Sequence, residues 1–155
     1  MKKIIIAIDS FKGCLTSAEA GKAAEKGIKS INPFCHTSVI PIADGGEGLL
    51  DVLITATKGK YITLSAHGPL MKMAKTHYGL SGNGRTAIIE MAAISGLPLV
   101  PIEQRNPMLT TTFGTGELIK DALNKGCRNF IIGIGGSATN DAGLRSEERR
   151  VGKEC

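Results

Sequence analysis

Four short stretches carry residue types that handle phosphate, metal ions and protons: Asp9-Ser10-Phe11-Lys12-Gly13, Asp44-Gly45-Gly46-Glu47-Gly48, residues 110–116 (TTTFGTG) and residues 135–141 (GGSATND). In the last, an apolar run empties into Gly135-Gly136-Ser137, and Thr139, Asn140 and Asp141 follow. Paired glycines let a backbone turn sharply and approach a ligand closely. Successive bare N–H groups in such a turn form a concave anion site. Gly135, Gly136, Ser137, Thr139 and Asn140 are therefore read as a phosphate cradle, with Asp141 beside it as a metal ligand or proton-handling group. Phosphoryl transfer needs the inventory of these four stretches. Backbone amides and Lys12 neutralise phosphate oxygens, carboxylates hold Mg²⁺, and one carboxylate accepts the proton of the attacking hydroxyl. Each stretch also has a plainer reading. Residues 135–141 could be a tight strand-to-helix connection, and Asp9-Ser10 a strand end. Lys12 could be solvated, Glu47 could serve a helix dipole, and the Thr110-Thr111-Thr112 run could be a cap.

Several other chemistries are disfavoured. No GxxxxGK[ST] is present and no GxGxxG opens the first helix, so an ordinary dinucleotide site is not expected. HExxH and GxSxG are absent, and His36, His67 and His77 stand alone as ordinary polar positions. The cysteines, Cys14, Cys35, Cys127 and Cys155, lack metal-ligand spacing and read as small buried hydrophobes in a reduced cytoplasm. The net charge of +5 comes from scattered Lys and Arg without aromatic interleaving, so no nucleic-acid partner is expected. Neither a leader nor an apolar run of membrane-spanning length is found, so no membrane is expected.

The elements that must position these stretches alternate. Residues 3–8 (KIIIAI) form a continuous apolar run, as in a strand covered on both faces. Thr16-Ser17-Ala18-Glu19 opens a helix with a capping box, Ala20, Ala23, Ala24, Gly27 and Ile28 supply its inner face, and Asn32-Pro33 stops it. Residues 37–42 form a second strand. Leu49, Leu50, Leu53, Ile54 and Ala56 then mark a helix closed by Gly59. Residues 61–66, 73–80 and 86–91 read as further strands, the last two joined through Ser81-Gly82-Asn83-Gly84, a hairpin signal. Residues 90–94 turn helical, 100–106 form a loop, 117–124 a helix closed by Gly126, and 129–134 a strand. Strand–loop–helix repetition predicts α/β architecture with a parallel sheet, and the antiparallel piece places a domain change near residue 69. Loops after parallel strands converge on one sheet edge, which gives the four stretches a common location.

Residues 145–155 (RSEERRVGKEC) break the pattern, because an apolar helix is expected there. A widely used sequencing adapter, read in frame, translates residue for residue into this segment. It is therefore expected to be a read-through of adapter DNA rather than natural sequence. Without it the charge is +4, from 15 basic and 11 acidic residues.

The segments at 7–20 (AIDSFKGCLTSAEA), 41–48 (PIADGGEG), 87–100 (AIIEMAAISGLPLV), 105–119 (RNPMLTTTFGTGELI) and 131–143 (IIGIGGSATNDAG) together resemble the bacterial glycerate kinase family of the glycerate 2-kinase type. The resemblance runs in order through residues 1–144. It implies phosphorylation of D-glycerate with ATP and Mg²⁺, often to 2-phosphoglycerate, and a small-molecule substrate as partner. It also implies a Rossmann-like parallel three-layer domain carrying the start of an inserted mixed-sheet α/β domain, here truncated because family members are about twice this length. The expected division is residues 1–69, 70–144 and the adapter-derived tail 145–155. Cys14 stands where the family more often has a small residue such as Ser.

On this resemblance Asp44, Glu47, Lys12 and Asp141 are the catalytic candidates, with Asp44 and Asp141 also the metal candidates. Asp9, Ser10, Gly45, Gly46 and Thr111 are expected to bind substrate. Gly114 joins Gly135, Gly136, Ser137, Thr139 and Asn140 in binding the nucleotide. Which carboxylate is the base stays open. Two alternatives accompany this reading: an inactive fragment with residual anion binding, and a non-catalytic sugar-phosphate-binding module.

Overall fold

The computed structural model describes residues 3–144; residues 145–155, including Cys155 and the proposed adapter segment, lie outside the described residues. Two sheets are present. The smaller pairs β1 (Lys3–Ile6) parallel with β2 (His36–Val39), joined by α1 (Ser17–Ile31). The capping box at Thr16 forms: its hydroxyl accepts from Glu19 N at 3.2 Å, and the Glu19 carboxylate accepts from Thr16 N at 2.9 Å. The inner face of α1 is Ser17, Ala20 and Gly21, with Ala24 and Ile28 half-buried, whereas Ala23 and Gly27 face outward. Gly21 is the close contact, since a Cβ there would lie 2.4 Å from Val39 Cγ1.

The larger sheet has the order β3-β4-β5-β6, from β3 (Lys60–His67), β4 (Met73–Leu80), β5 (Thr86–Glu90) and β6 (Asn129–Gly133). β3 and β4 pair antiparallel through a turn at Gly68 to Lys72, and β4 pairs antiparallel with β5. β5 runs parallel to β6, with Glu90 opposite Gly133. The hairpin signal at Asn83-Gly84 holds: Gly84 has φ 69°, and Asn83 Oδ1 accepts from Ser81 Oγ and Arg85 N. α2 (Leu49–Thr57) precedes β3, the one-turn α3 (Ala92–Ser95) follows β5, and α4 (Phe113–Asn124) connects to β6.

Alternation along β5 explains the layering. Ala87 and Ile89 point into a core with Ala66, Tyr78, Ile94, Leu118, Ala122 and Cys127 under α4. Ile88 points the other way, against Leu50 and Ile54 of α2. Both faces of β5 are covered, which is why TAIIE reads as an apolar run rather than an alternating one. The fold is α/β, with a parallel pair and a mixed sheet.

Some boundaries differ from expectation for local reasons. α2 ends at Thr57, and the residue that caps it, Lys58, itself takes the left-handed conformation at φ 51°. Gly59 serves another purpose: a Cβ there would meet Leu80 O at 2.4 Å, so it lets β3 start against β4. α4 begins at Phe113, four residues before the apolar pattern, because the Thr111 hydroxyl accepts from Phe113 N and Asp141 accepts from Thr112 N. Cys35 and Cys127 are buried, but Cys14 is exposed.

Candidate functional site

The loops after β1 and β2 meet. Ser17 is buried and ties them together: its hydroxyl donates to Ile8 O at 2.6 Å and accepts from Ile42 N at 3.0 Å. Lys12 Nζ lies 3.8 Å from Asp44 Oδ2, and both side chains remain largely open, at 70% and 58% exposure. Asp44 Oδ1 accepts from Gly46 N at 3.1 Å, an Asx turn that bends the chain toward α2. Asp9 Oδ1 accepts from the adjacent Ser10 N at 2.7 Å. Ser10, Lys12 and Glu47 line one cavity of about 780 Å³, shared with the start of α1, the first turns of α2, and Glu90. Three sequence-expected residues are thus brought together here, a lysine, a hydroxyl and the carboxylate of Glu47, around a space large enough for a small-molecule ligand, while Asp9, Asp44, Gly45 and Gly46 lie outside its lining.

The Asp44–Gly48 segment also touches the glycine-rich strand end. Gly135 N donates to Gly45 O at 3.1 Å. A Cβ on Gly133 would come within 2.5 Å of Gly45 O, and one on Gly135 within 2.6 Å of Gly46 Cα. Two backbones therefore pack glycine on glycine, and their close approach is what the glycines are needed for.

Beyond that contact, the loop after β6 is bonded internally. Ala138 N donates to Ser95 O, Thr139 N to Ser137 Oγ and Asn140 N to Pro107 O. Ser137 and Thr139 share a hydroxyl–hydroxyl bond of 2.9 Å. Gly136, at φ 73°, makes the turn, and its carbonyl accepts from Leu97 N. Three of the amides read as a bare anion cradle, those of Gly135, Thr139 and Asn140, are occupied by oxygens of this chain, as is the amide of Ala138 between them.

Asp141 is likewise engaged. Its Oδ2 accepts from Thr112 N at 2.8 Å and from Thr112 Oγ1 at 2.9 Å, and Oδ1 accepts from Gly143 N at 3.1 Å. α4 has no side-chain cap from its own N-cap residue, so Asp141 supplies one from the loop after β6. Thr111 is buried, with its amide on Pro69 O and its hydroxyl accepting from Phe113 N. Gly114 lies inside α4, where a Cβ would be 1.9 Å from His67 O. Neither lines the cavity, nor do Ser137, Thr139, Asn140 and Asp141.

Glu90 was not singled out from the sequence. It ends β5 half-buried and faces the start of α2, where Oε2 accepts from Leu50 N at 3.4 Å. Burial pushes its carboxyl above the ordinary value of 4.5, the amides of Leu50 and Gly48 pull it back, and Asp51 and Glu47 push it up further. The available signal was a carboxylate closing an otherwise apolar strand. Ser17 was hidden by its place in the capping pattern.

Mg²⁺ prefers one or two carboxylates plus phosphate oxygens to an all-protein cage. Among the described residues no group of three or more His, Cys, Asp or Glu is arranged as a metal site. Asp44, with an open carboxylate, is a donor of the type such a metal uses. No described helix is long and apolar enough to cross a membrane.

Known proteins resemble this chain along nearly its whole length. The glycerate kinase from Haemophilus influenzae is 56% identical over 153 residues, which cover 99% of this chain and 40% of that protein. The glycerate 2-kinase of Escherichia coli is 49% identical over the same shares. A crystal structure of a putative glycerate kinase 2 from Salmonella typhimurium superposes with a TM-score of 0.80 at 47% identity, covering 96% of this chain and 40% of that one. The chain thus spans about 40% of the length of these relatives. The sequence profile of the Glycerate kinase family matches residues 4–145, and the chain belongs to that family.

Proposed function

We propose that this sequence is the N-terminal portion of an ATP-dependent kinase that phosphorylates D-glycerate, with 2-phosphoglycerate as product. The observation that carries the reading is the meeting of Ser10, Lys12 and Glu47 on one cavity, with Asp44 outside its lining but beside Lys12. Names of relatives at about 50% identity support the substrate.

In this reading the acceptor hydroxyl lies near Asp44 and Glu47, one of which takes its proton as the bond to phosphorus forms. Lys12 moves from Asp44 to the phosphoryl oxygens, where its charge offsets the negative charge that develops. A weak, exposed ion pair gives Lys12 that freedom. Ser10 donates a hydroxyl to the same group, and Asp9 holds the turn that presents it. Asp44 is the residue that would hold Mg²⁺, which supplies charge neutralisation on the phosphates when bound. Gly45 and Gly46 let substrate approach the backbone, and Gly136 and Asn140, both exposed, are the members of the second loop open to nucleotide. The division near residue 69 belongs to the same proposal, with residues 70–144 opening an inserted domain.

The test is ATP turnover with D-glycerate by the full-length protein carrying this sequence, with the product's phosphate position read by phosphorus NMR. Glycerate-dependent turnover is expected; a folded protein with none overturns the reading. A second reading has its own support. Ile5 is 61% exposed on β1, and Ile134, just beyond β6, is 72% exposed. These unpartnered apolar side chains favour a 155-residue chain that alone is non-catalytic and self-associates. A soluble, active 155-residue chain overturns that one.

A further inference from the structure

We propose that Glu90 is a positioning residue of this site: its carboxylate holds the first turn of α2, and through it the Asp44–Gly48 segment, against the end of the mixed sheet. The inference rests on the kinase reading for its consequence in catalysis, but its structural part stands alone.

α2 starts without a cap of its own. Its N-cap is Gly48, at φ 88°, which has no side chain to offer. The first amides of a helix must find acceptors from elsewhere. Glu90 supplies one from 40 residues away, accepting from Leu50 N, and the Gly48 amide lies near enough to stabilise its charged form. An anion at a helix N-terminus is favoured by the helix dipole as well.

Glu90 is also well placed to control the preceding residues. Its register partner across β5 and β6 is Gly133. Gly133 is the position whose missing side chain leaves room for Gly45 O, and Gly135 N bonds that same oxygen. The segment carrying Asp44 and Glu47 is therefore pinned at two points. Glycine packing holds Gly45 and Gly46, and Glu90 holds Leu50 at the start of α2. Between the pins lies Glu47, which lines the cavity together with Glu90, Ser10 and Lys12.

The surroundings do not favour a carboxylate for stability's sake. Glu47, before α2, and Asp51, in its first turn, face it, Tyr61 from β3 lies near it, and His77 from β4 lines the same cavity; Lys12, across the cavity, is paired with Asp44. A fold that keeps a half-buried acid among other acids marks that acid as part of a site.

The experiment compares Glu90→Ala, Glu90→Gln and Glu90→Asp in the full-length protein. Glu90→Gln keeps the reach and an acceptor oxygen. Glu90→Asp keeps the charge but withdraws it by one methylene. The readouts are kcat and KM for D-glycerate, and hydrogen exchange at the Gly48 and Leu50 amides. Glu90→Ala and Glu90→Asp are expected to lower kcat by about 10- to 100-fold, the scale of a misplaced catalytic group, with a smaller change in KM. Both are expected to speed exchange at the two amides, and Glu90→Gln to restore most of each loss. Three results overturn the proposal: unchanged exchange in Glu90→Asp, faster exchange with wild-type kcat, or rescue by Asp and not by Gln, which would make Glu90 a proton-handling group. Should Glu90→Ala fail to fold, the Gln and Asp variants decide. If the wild type shows no glycerate-dependent turnover, the kinase reading fails on its own, and the exchange data still decide whether Glu90 holds α2.

Discussion

Asp44 and Asp141 occupy corresponding places in two glycine-rich motifs, yet their carboxylates are used differently. Asp44 spends one oxygen on Gly46 N and leaves the other at a long 3.8 Å from Lys12, with the side chain 58% exposed. Asp141 gives one oxygen to two groups of Thr112 and the other to Gly143 N. The contrast extends to their loops. The loops after β1 and β2 turn a lysine, a hydroxyl and one carboxylate, Glu47, toward a cavity, with Asp44 beside the lysine. The loop after β6 turns its amides and hydroxyls toward the chain itself. Residue types that suit phosphate and metal chemistry equally suit the capping of a helix, and only the count of remaining lone pairs separates the two uses.

The sharpest way to break this comparison is to delete each carboxylate in turn. Asp44→Ala in the full-length protein is expected to lower kcat/KM for D-glycerate by about 10³-fold, the size of losing an electrostatic or acid–base group. Its stability is expected to stay within about 1 kcal/mol, because the ion pair with Lys12 is exposed. Steady-state kinetics beside thermal unfolding read both. A large fall in Tm with little change in turnover would reverse the roles assigned to the two loops.

Gly114 tests the second loop from the packing side. Its missing Cβ leaves room for His67 O, and the obstacle is backbone rather than a flexible side chain. Gly114→Ala is expected to cost about 3 kcal/mol, the upper part of the range for overpacking a core. Denaturant unfolding of this chain measures it. If stability is unchanged while nucleotide affinity falls, Gly114 contacts ligand and the packing account fails.

Asp141→Ala follows, with an expected cost of about 2 kcal/mol, since it strips the cap of α4 and leaves Thr112 N without an acceptor. Asp141→Asn, which keeps one acceptor oxygen, is expected to lose about half of that. The comparison is weakened if both variants unfold like the wild type and lose turnover together, the behaviour of a metal ligand or base.

Much of the fold was legible because local signals agreed with it. The capping box at Thr16, the Asn83-Gly84 hairpin and the apolar run of β5 each state a local structure in residues adjacent along the chain. The site was legible only in its chemistry. Lys12, Asp44 and Glu47 follow β1 or β2, and their convergence follows from parallel strands. What stayed hidden depends on long-range approach. Gly133 makes room for Gly45, Gly114 for His67, and Asp141 and Glu90 cap helix starts by bonding residues 29 and 40 positions away. A glycine kept for close packing and one kept for binding phosphate look alike in a sequence. So do a capping carboxylate and a catalytic one.

The smallest expected effect separates the two capping carboxylates, Glu90 and Asp141, and for Glu90 it turns on pH. Glu90 is raised above its ordinary value, by burial first, and then by Asp51 and Glu47 against the pull of the Leu50 and Gly48 amides. A raised carboxyl binds its proton more tightly in the folded chain than in the unfolded one. Its contribution is therefore fully present below the ordinary value of 4.5 and is lost as pH rises through the raised one. Glu90→Gln removes that loss, so its Tm is expected to match or exceed wild type at pH 7.5 and to gain no such advantage near pH 4. Asp141→Asn is expected to lower Tm at pH 7.5. Thermal unfolding of the two variants across that pH range reads the difference. If Glu90→Gln is instead less stable than wild type at neutral pH, then the bonds to α2 outweigh burial. Glu90 would then be a structural cap like Asp141, and the distinction between the two ends of the molecule would rest on Asp44 and Lys12 alone.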